Sequence, residues 1–296
     1  MDLPATEQVN PRTRDLDRLS PRELVAALQA EDRHAVEAAA RARDAIAALV
    51  ERAHAALAGG GRLVLVGAGT SGRLAVLEAS ECPPTFSTSP DLVVALMAGG
   101  ERAFTKAVEG AEDDGPQGGR DVRAASVTAK DLVIGVTASG RTPYVLGALA
   151  EARARGAPTA LMACSPPADA SVADALVLLE TGPEALAGST RLKAGTACKV
   201  ALNAVTTGAM VLLGKVHGNL MVDVAPTNAK LRERAKRIVA EIAAVPMADA
   251  ARWLERSGNE PKTAVVMARF AVSADGARER LRLASGSLRR ALEARS

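Results

Sequence analysis

Two short loops carry the residues best suited to chemistry. The segments Leu63-Val-Leu-Val-Gly-Ala-Gly-Thr-Ser-Gly-Arg73 and Leu132-Val-Ile-Gly-Val-Thr-Ala-Ser-Gly-Arg-Thr142 each run an apolar, branched stretch into small and hydroxyl residues that contain Ser-Gly-Arg. Gly69 and Gly140 let the backbone pass close to a ligand, and Thr70, Ser71, Ser139 and Thr142 add hydroxyl donors. If each loop opens a helix, unpaired N–H groups and a partial positive charge complete a cradle for an anionic phosphate. Proton transfer would fall to carboxyl groups, and two stand out: Glu81 in Ala79-Ser-Glu-Cys-Pro-Pro-Thr-Phe86, and Glu112 in Val108-Glu-Gly-Ala-Glu-Asp-Asp114. Glu81 precedes a stiff Pro83-Pro84 pair and falls near the negative end of a helix begun at Ser71, which suits a general acid. A surface glutamate beside a helix-ending proline pair, and a solvated acidic run, are the ordinary alternatives for the same residues.

The elements that must position these groups follow from hydrophobic periodicity. Short apolar strands at 63–66, 92–97, 132–136, 159–163 and 175–179 alternate with helical segments, the pattern of a doubly wound, mainly parallel five-stranded α/β sheet flanked by helices. In such a sheet, loops after the first and third strands open on the same carboxyl-end side, so the two hydroxyl loops would face one ligand. The first sixty residues read as helix, with Ser20-Pro-Arg-Glu23 as a capping box and 31–58 Ala-rich and free of breakers. Residues 191–213 form a long apolar helix, expected to be buried against the sheet or a second subunit. Past Asn228 only helical patterns remain, at 247–256, 261–270, 274–283 and 287–294, with Trp253 and Phe270 as core. The expected organisation is N-terminal helices over 1–58, an α/β domain carrying the phosphate loops over 59–227, and a small all-helical C-terminal region over 228–296.

Composition narrows the function classes. The chain has 296 residues, 48% of them apolar and only 2% aromatic, so a core is assured while stacking platforms for bases are nearly absent. The net charge of +3 comes from interspersed charges, and the basic stretch 230–237, broken by Glu233, reads as a solvated helix face. No nucleic-acid partner is expected. Neither is a membrane: no apolar run reaches a span's length, and Met1-Asp-Leu-Pro lacks the basic start of a signal peptide, which points to the cytoplasm. Cys82, Cys164 and Cys198 are too far apart in sequence for a CxxC pair and suit a reducing compartment, and His34, His54 and His217 never fall in metal-ligand spacing.

Gly67-Ala-Gly-Thr-Ser-Gly72 satisfies the G-x-G-x-x-G dinucleotide fingerprint, but its context argues against one. The second strand ends in Ala98-Gly99-Gly100, where a ribose-binding acid would be needed.

Taken together, Val66-Gly-Ala-Gly-Thr-Ser-Gly-Arg-Leu74, the Glu81 and Glu112 strings, Ala138-Ser-Gly-Arg-Thr-Pro-Tyr144, Gly188-Ser-Thr-Arg-Leu-Lys-Ala-Gly195 and Gly218-Asn-Leu-Met-Val-Asp223 resemble the N-acetylmuramic acid 6-phosphate etherases of the sugar isomerase (SIS) superfamily. Thr6-Glu7, Asn10 and Asp15-Leu-Asp17 resemble the family's start, so the likeness covers nearly the whole chain and loosens past about Pro246. The resemblance implies a SIS fold and a cytoplasmic, homodimeric lyase of cell-wall sugar recycling. Such an enzyme removes D-lactate from N-acetylmuramic acid 6-phosphate to leave N-acetylglucosamine 6-phosphate, with no metal or organic cofactor. It assigns Glu81 as proton donor and Glu112 as the second acid, acting at C2 or on the incoming water, and adds Ser189 and Thr190 to the substrate-binding set. Glu78, Cys198 in place of Gln and His217 in place of Tyr depart from the family pattern, away from both glutamates.

Two rivals use the same loops. An aldose–ketose isomerase would not need a second carboxyl group, and a sugar-phosphate sensor would need neither. A straight helix from Ser71 sets Glu81 roughly 15 Å from the loop. Either that helix breaks early or Glu81 completes a partner subunit's site. Arg191, Lys193 and Lys215 are the basic candidates for the lactyl carboxylate.

Overall fold

A computed structural model describes residues 3–224 and 229–294. Two compact units emerge, one made of residues up to Ala79 together with Asp91–Thr206, the other of Ser80–Pro90 and the chain from Thr207 onward.

The first unit is built on five strands, β1 (Leu63–Gly67), β2 (Val93–Met97), β3 (Leu132–Thr137), β4 (Thr159–Ala163) and β5 (Ala175–Leu178), each within a residue or so of the expected bounds. They pair in the order β2-β1-β3-β4-β5, parallel throughout. β1 and β3 are neighbours in register, Leu63 beside Leu132, so the order reverses between them and their following loops open side by side. β1 and β3 are buried along their whole length, whereas β2, an edge strand, is only half covered.

Side chains alternate across the sheet. Val64, Val66 and Val133 pack with Val145, Ala148 and Leu149 on one face. That face is covered by α5 (Gly115–Ala124) and α6 (Pro143–Ala154), and α2 (Arg43–Ala58) runs along β1, β3 and β5.

The N-terminal region is less helical than its composition suggests. Residues 5–18 form three single 3-10 turns, and helix begins only at α1 (Pro21–Arg41). The capping box is present: Glu23 N donates to Ser20 Oγ at 3.5 Å, and Ser20 N donates to Glu23 Oε2 at 2.9 Å. A break at Ala42 then separates α1 from α2 inside the Ala-rich run.

Two helices pass from one unit into the other. α3 (Gly69–Phe86) continues through Pro83 and Pro84, so the proline pair does not end it. The prolines do remove the N–H donors that would serve the carbonyls of Ala79 and Ser80. α7 (Lys193–Leu212) buries Ala194, Ala197, Cys198, Ala201, Leu202 and Val205 and exposes Lys199 and Val200, the expected apolar stripe. The remaining short helix of the first unit is α4 (Arg102–Thr105).

The second unit contains a two-stranded hairpin absent from the periodicity reading, β6 (Val216–His217) and β7 (Leu220–Met221), joined through Gly218-Asn219 with Gly218 at φ +59°. Helices α8 (Ala229–Ala243), α9 (Met247–Arg256), α10 (Pro261–Phe270), α11 (Ala274–Leu283) and α12 (Leu288–Glu293) surround a core that includes Val239, Leu254, Val265, Val266 and Leu288. Trp253 and Phe270 sit half-buried on its margin rather than inside it. The Arg256 and Arg280 guanidinium groups lie 4.7 Å and 3.9 Å from their ring centres. The charged stretch of α8 is a solvated face, where Lys236 pairs with Glu233 at 2.6 Å. Among the described residues no helix is long and apolar enough to cross a membrane.

Candidate active site

The carboxyl ends of β1 and β3 open on a cleft of about 340 Å³. Its first wall is the β1–α3 loop. A Cβ on Gly67 would fall 2.6 Å from Gly72 N, and one on Gly72 would fall 2.8 Å from Gly67 O and from Met97 Cγ. Strand and helix therefore cross at a distance only glycine permits, and Gly69, at φ +53°, makes the left-handed turn between them. That geometry accounts for the dinucleotide-like spacing without a dinucleotide. The loop presents Gly69, Thr70 and Ser71 to the cleft at the start of α3.

The opposite wall is the β3–α6 loop, which contributes Thr137, Ser139, Arg141 and Thr142. Thr137 Oγ1 lies 2.7 Å from Thr142 Oγ1 and 3.4 Å from Ser139 Oγ, and Arg141 N donates to Ser139 Oγ at 3.2 Å. Thr142 makes no side-chain cap to α6, so its hydroxyl joins this chain instead. Gly140, expected to touch the ligand, is absent from the cleft wall. It turns the loop at φ +71° against Ser165, whose carbonyl oxygen a Cβ would meet at 2.8 Å.

A third contribution comes from Gly188 and Thr190, with Ser189 between them outside the lining. Glu112 and Asp113 enter from a single 3-10 turn that follows Gly110 at φ +71°. Glu7 reaches the same cleft from the N-terminal segment, its Oε2 occupying a point 2.9 Å from where a Cβ on Gly188 would stand. Thr137, Arg141, Asp113 and Glu7 were not anticipated. Thr137, Arg141 and Asp113 lie inside the quoted strings, and Glu7 lies in the Thr6-Glu7 start that resembles the family's.

The N-terminal segment is anchored through long-range bonds. Gly188 N donates to Thr6 O at 3.2 Å, Thr13 Oγ1 to Ala185 O at 2.8 Å, and Asn10 Nδ2 to Pro183 O at 3.2 Å. Beneath it, Glu31 accepts from Lys193 Nζ at 2.5 Å, Arg12 Nε at 2.6 Å and Asn10 Nδ2 at 2.8 Å. These partners outweigh its burial and hold the Glu31 carboxyl at about 2. Lys193 is fully buried in this pair and so cannot serve as a lactyl-carboxylate ligand. Glu184 caps the start of α7, accepting from Lys193 N and Ala194 N at 2.9 Å each, and burial pushes its carboxyl up. Lys215 is likewise engaged, 3.1 Å from Asp223, while Arg191 is exposed.

Glu81 is an exposed residue in the final third of α3, in the portion of that helix belonging to the second unit, and is not among the cleft's lining. The three positions that depart from the family pattern are explained locally. Glu78 is buried and joins α3 to α7, accepting from Asn203 Nδ2 at 2.9 Å and Thr206 Oγ1 at 2.6 Å. Cys198 Sγ lies 3.7 Å from Cys164 Sγ, both buried thiols, with that contact and burial raising the Cys164 thiol. His217 sits in β6, its imidazole pushed down chiefly by burial. Among the described residues no three His, Cys, Asp or Glu side chains group as a metal site.

A parallel sheet reversing its order between β1 and β3, with hydroxyl loops over that point, is a doubly wound α/β domain with its ligand cleft at the switch point, the arrangement of a SIS domain. Consistent with this, residues 44–153 match the family model described as the glucokinase regulatory protein N-terminal SIS domain. The chain is also 52% identical over 290 residues to the N-acetylmuramic acid 6-phosphate etherase of Geobacillus thermodenitrificans, covering 98% of each chain. It is 52% identical over 288 residues to that of Pectobacterium atrosepticum, covering 97% of this chain and 95% of that one. To that of Synechocystis it is 50% identical over 290 residues. The chain belongs to the N-acetylmuramic acid 6-phosphate etherase family.

Proposed function

We propose that the chain is a carbon–oxygen lyase that cleaves the D-lactyl ether of N-acetylmuramic acid 6-phosphate, giving N-acetylglucosamine 6-phosphate and D-lactate. The observation that carries this most strongly is a cleft in which two helix-opening hydroxyl loops and the carboxylate of Glu112 converge, in a chain half identical to etherases over nearly its full length.

In this reading Thr70, Ser71, Ser139 and Thr142, with the N-terminal N–H groups of α3 and α6, hold the 6-phosphate. Opening of the sugar gives a C1 aldehyde that acidifies the C2 proton. A carboxylate takes that proton, the C3–O bond breaks as its oxygen is protonated to release lactate, and water adds across the resulting C2–C3 double bond. Glu112 acts within the cleft, at C2 or on the incoming water, and Glu81 is the donor to the departing oxygen.

A homodimeric site is part of this reading: Glu81 is not among the residues that line the cleft, and it serves a second copy. Mixing Glu81→Ala chains with chains carrying Ser71→Ala and Ser139→Ala tests this: activity should reappear in the mixture, and its absence removes the shared site. The enzyme then acts in the cytoplasm on recycled cell-wall sugar.

The functional assignment is tested by D-lactate release from N-acetylmuramic acid 6-phosphate. No release by the intact protein would overturn it, and interconversion of aldose and ketose phosphates would place it with the isomerases instead.

A further inference from the structure

Two thiols meet behind the cleft, outside the residues that line it. Cys164 directly follows β4 and Cys198 lies in the second turn of α7. Each is 1% exposed, and their Sγ atoms are 3.7 Å apart. We propose that this pair is an oxidation site: a hydroperoxide converts it to a disulfide, and the disulfide weakens the grip of the phosphate loops. Position 198 is one of the three that depart from the family pattern, so the device belongs to this chain.

The two sulfurs are already in contact. A disulfide holds its sulfurs at about 2.05 Å, which leaves roughly 1.6 Å to close. The Cys164 thiol also faces Ala194 O at 3.7 Å, so its side chain lies on the first turn of α7, the helix that carries Cys198.

The chemistry balances with peroxide as the only oxidant. One sulfur attacks the O–O bond as its thiolate, giving a sulfenic acid and, from hydrogen peroxide, water. The neighbouring thiol then displaces the sulfenic oxygen, which leaves as a second water while the S–S bond forms. The two electrons lost by the sulfurs reduce the peroxide. Contact with Cys198 and burial raise the Cys164 thiol, so its thiolate is scarce and the first attack is slow. The second attack has its partner in place. Such a pair responds to sustained oxidant and ignores a brief pulse. Ser165, next in the chain, has a buried hydroxyl with no hydrogen-bond partner among the described residues, a polar foothold for a water-sized peroxide.

Both thiols sit on segments that support the cleft walls. Cys164 N donates to Ala138 O at 3.1 Å, and Ala138 lines the cleft beside Ser139. The carbonyl of Ser165 lies where a Cβ on Gly140 would meet it at 2.8 Å, so the β3–α6 loop rests on residues 164–165. At the other wall, Gly195 N donates to Thr190 O at 2.9 Å, and a Cβ on Gly195 would stand 3.3 Å from Thr70 Cγ2. The first turn of α7 therefore backs Thr190 and Thr70. In a close-packed interior a displacement of this size is passed on to neighbours. Drawing Cys164 toward α7 pulls its N–H from Ala138 and shifts Ser139 relative to Thr70.

Treating the intact protein with hydrogen peroxide, then removing the peroxide with catalase, tests the proposal. Non-reducing peptide mapping reads the link, and calorimetric titration with N-acetylglucosamine 6-phosphate reads the loops. Residues 164 and 198 should appear in one cross-linked pair of peptides. Affinity should fall by about tenfold, the effect of weakening one hydrogen bond to a charged group, and dithiothreitol should restore it. Cys198→Ala and, separately, Cys164→Ala should bind as the untreated wild type does, before and after peroxide. Absence of the link, a link that leaves affinity unchanged, or an equal loss in the alanine variants overturns the proposal. An untreated wild type that does not bind the sugar phosphate would refute the phosphate cleft itself, and the effect on its loops with it.

Discussion

Neutralising Glu31 should loosen the N-terminal segment from the cleft, and the cost follows from the structure. Glu31 is 2% exposed and faces Lys193, which is 0% exposed. Its carboxyl is held at about 2 against an ordinary 4.5. At about 1.4 kcal/mol per pH unit, that gap corresponds to about 3 kcal/mol. Breaking a buried pair by removing one partner costs a similar ~3–5 kcal/mol, because the other charge stays buried without compensation. The Arg12 guanidinium contributes the largest of the hydrogen bonds that hold the carboxyl down, although its half-exposed side chain screens that share. Because the folded-state carboxyl is depressed, its stabilisation is full above about 4.5 and is lost as pH falls toward about 2. Urea unfolding at a series of pH values should therefore show Glu31→Gln less stable than wild type by about 3 kcal/mol at pH 7, with the difference shrinking between pH 4.5 and 2. A gap under about 1 kcal/mol at pH 7, or one that does not change with pH, would refute the reasoning. Replacing Glu31 and Lys193 together by Leu and Met should recover much of the loss.

Other perturbations separate binding from chemistry. Ser139→Ala and Thr142→Val should each raise KM by about tenfold with a smaller effect on kcat, since each removes one hydrogen bond to a charged group; steady-state kinetics checks this. Glu112→Gln should lower kcat by about 10²–10⁴-fold, the span of a lost acid–base group, while calorimetry shows the product still bound. Gly72→Ala should destabilise the fold and weaken phosphate binding, because its Cβ would fall 2.8 Å from Gly67 O, and a thermal melt with and without inorganic phosphate reads both effects.

Much of the scaffold was legible in local chemistry. Runs such as Leu63–Val66 and Thr159–Ala163 admit little but a buried strand, and Pro261, Ser273 and Gly258 bracket α9, α10 and α11 tightly enough that their ranges needed no revision. What escaped depends on residues far apart in the chain. Glu7 enters the cleft because Thr13 bonds Ala185, 172 positions away, and Lys193 is lost to ligand binding because Glu31 lies 162 positions upstream. Ala42 breaks a run without any residue that disfavours helix, and α3 passes through Pro83-Pro84 where local rules expect an end. Of the candidate site, the hydroxyl loops and Glu112 could be found from spacing and resemblance. The part that Thr137 and Arg141 play in lining the cleft required the three-dimensional arrangement.

The central claim is elimination followed by water addition at C3, and isotope labelling tests it most directly. Incubating the protein with N-acetylmuramic acid 6-phosphate in ¹⁸O water should yield unlabelled D-lactate and N-acetylglucosamine 6-phosphate carrying the label at C3. Label in the lactate hydroxyl, or product with unlabelled C3 oxygen, would contradict the account.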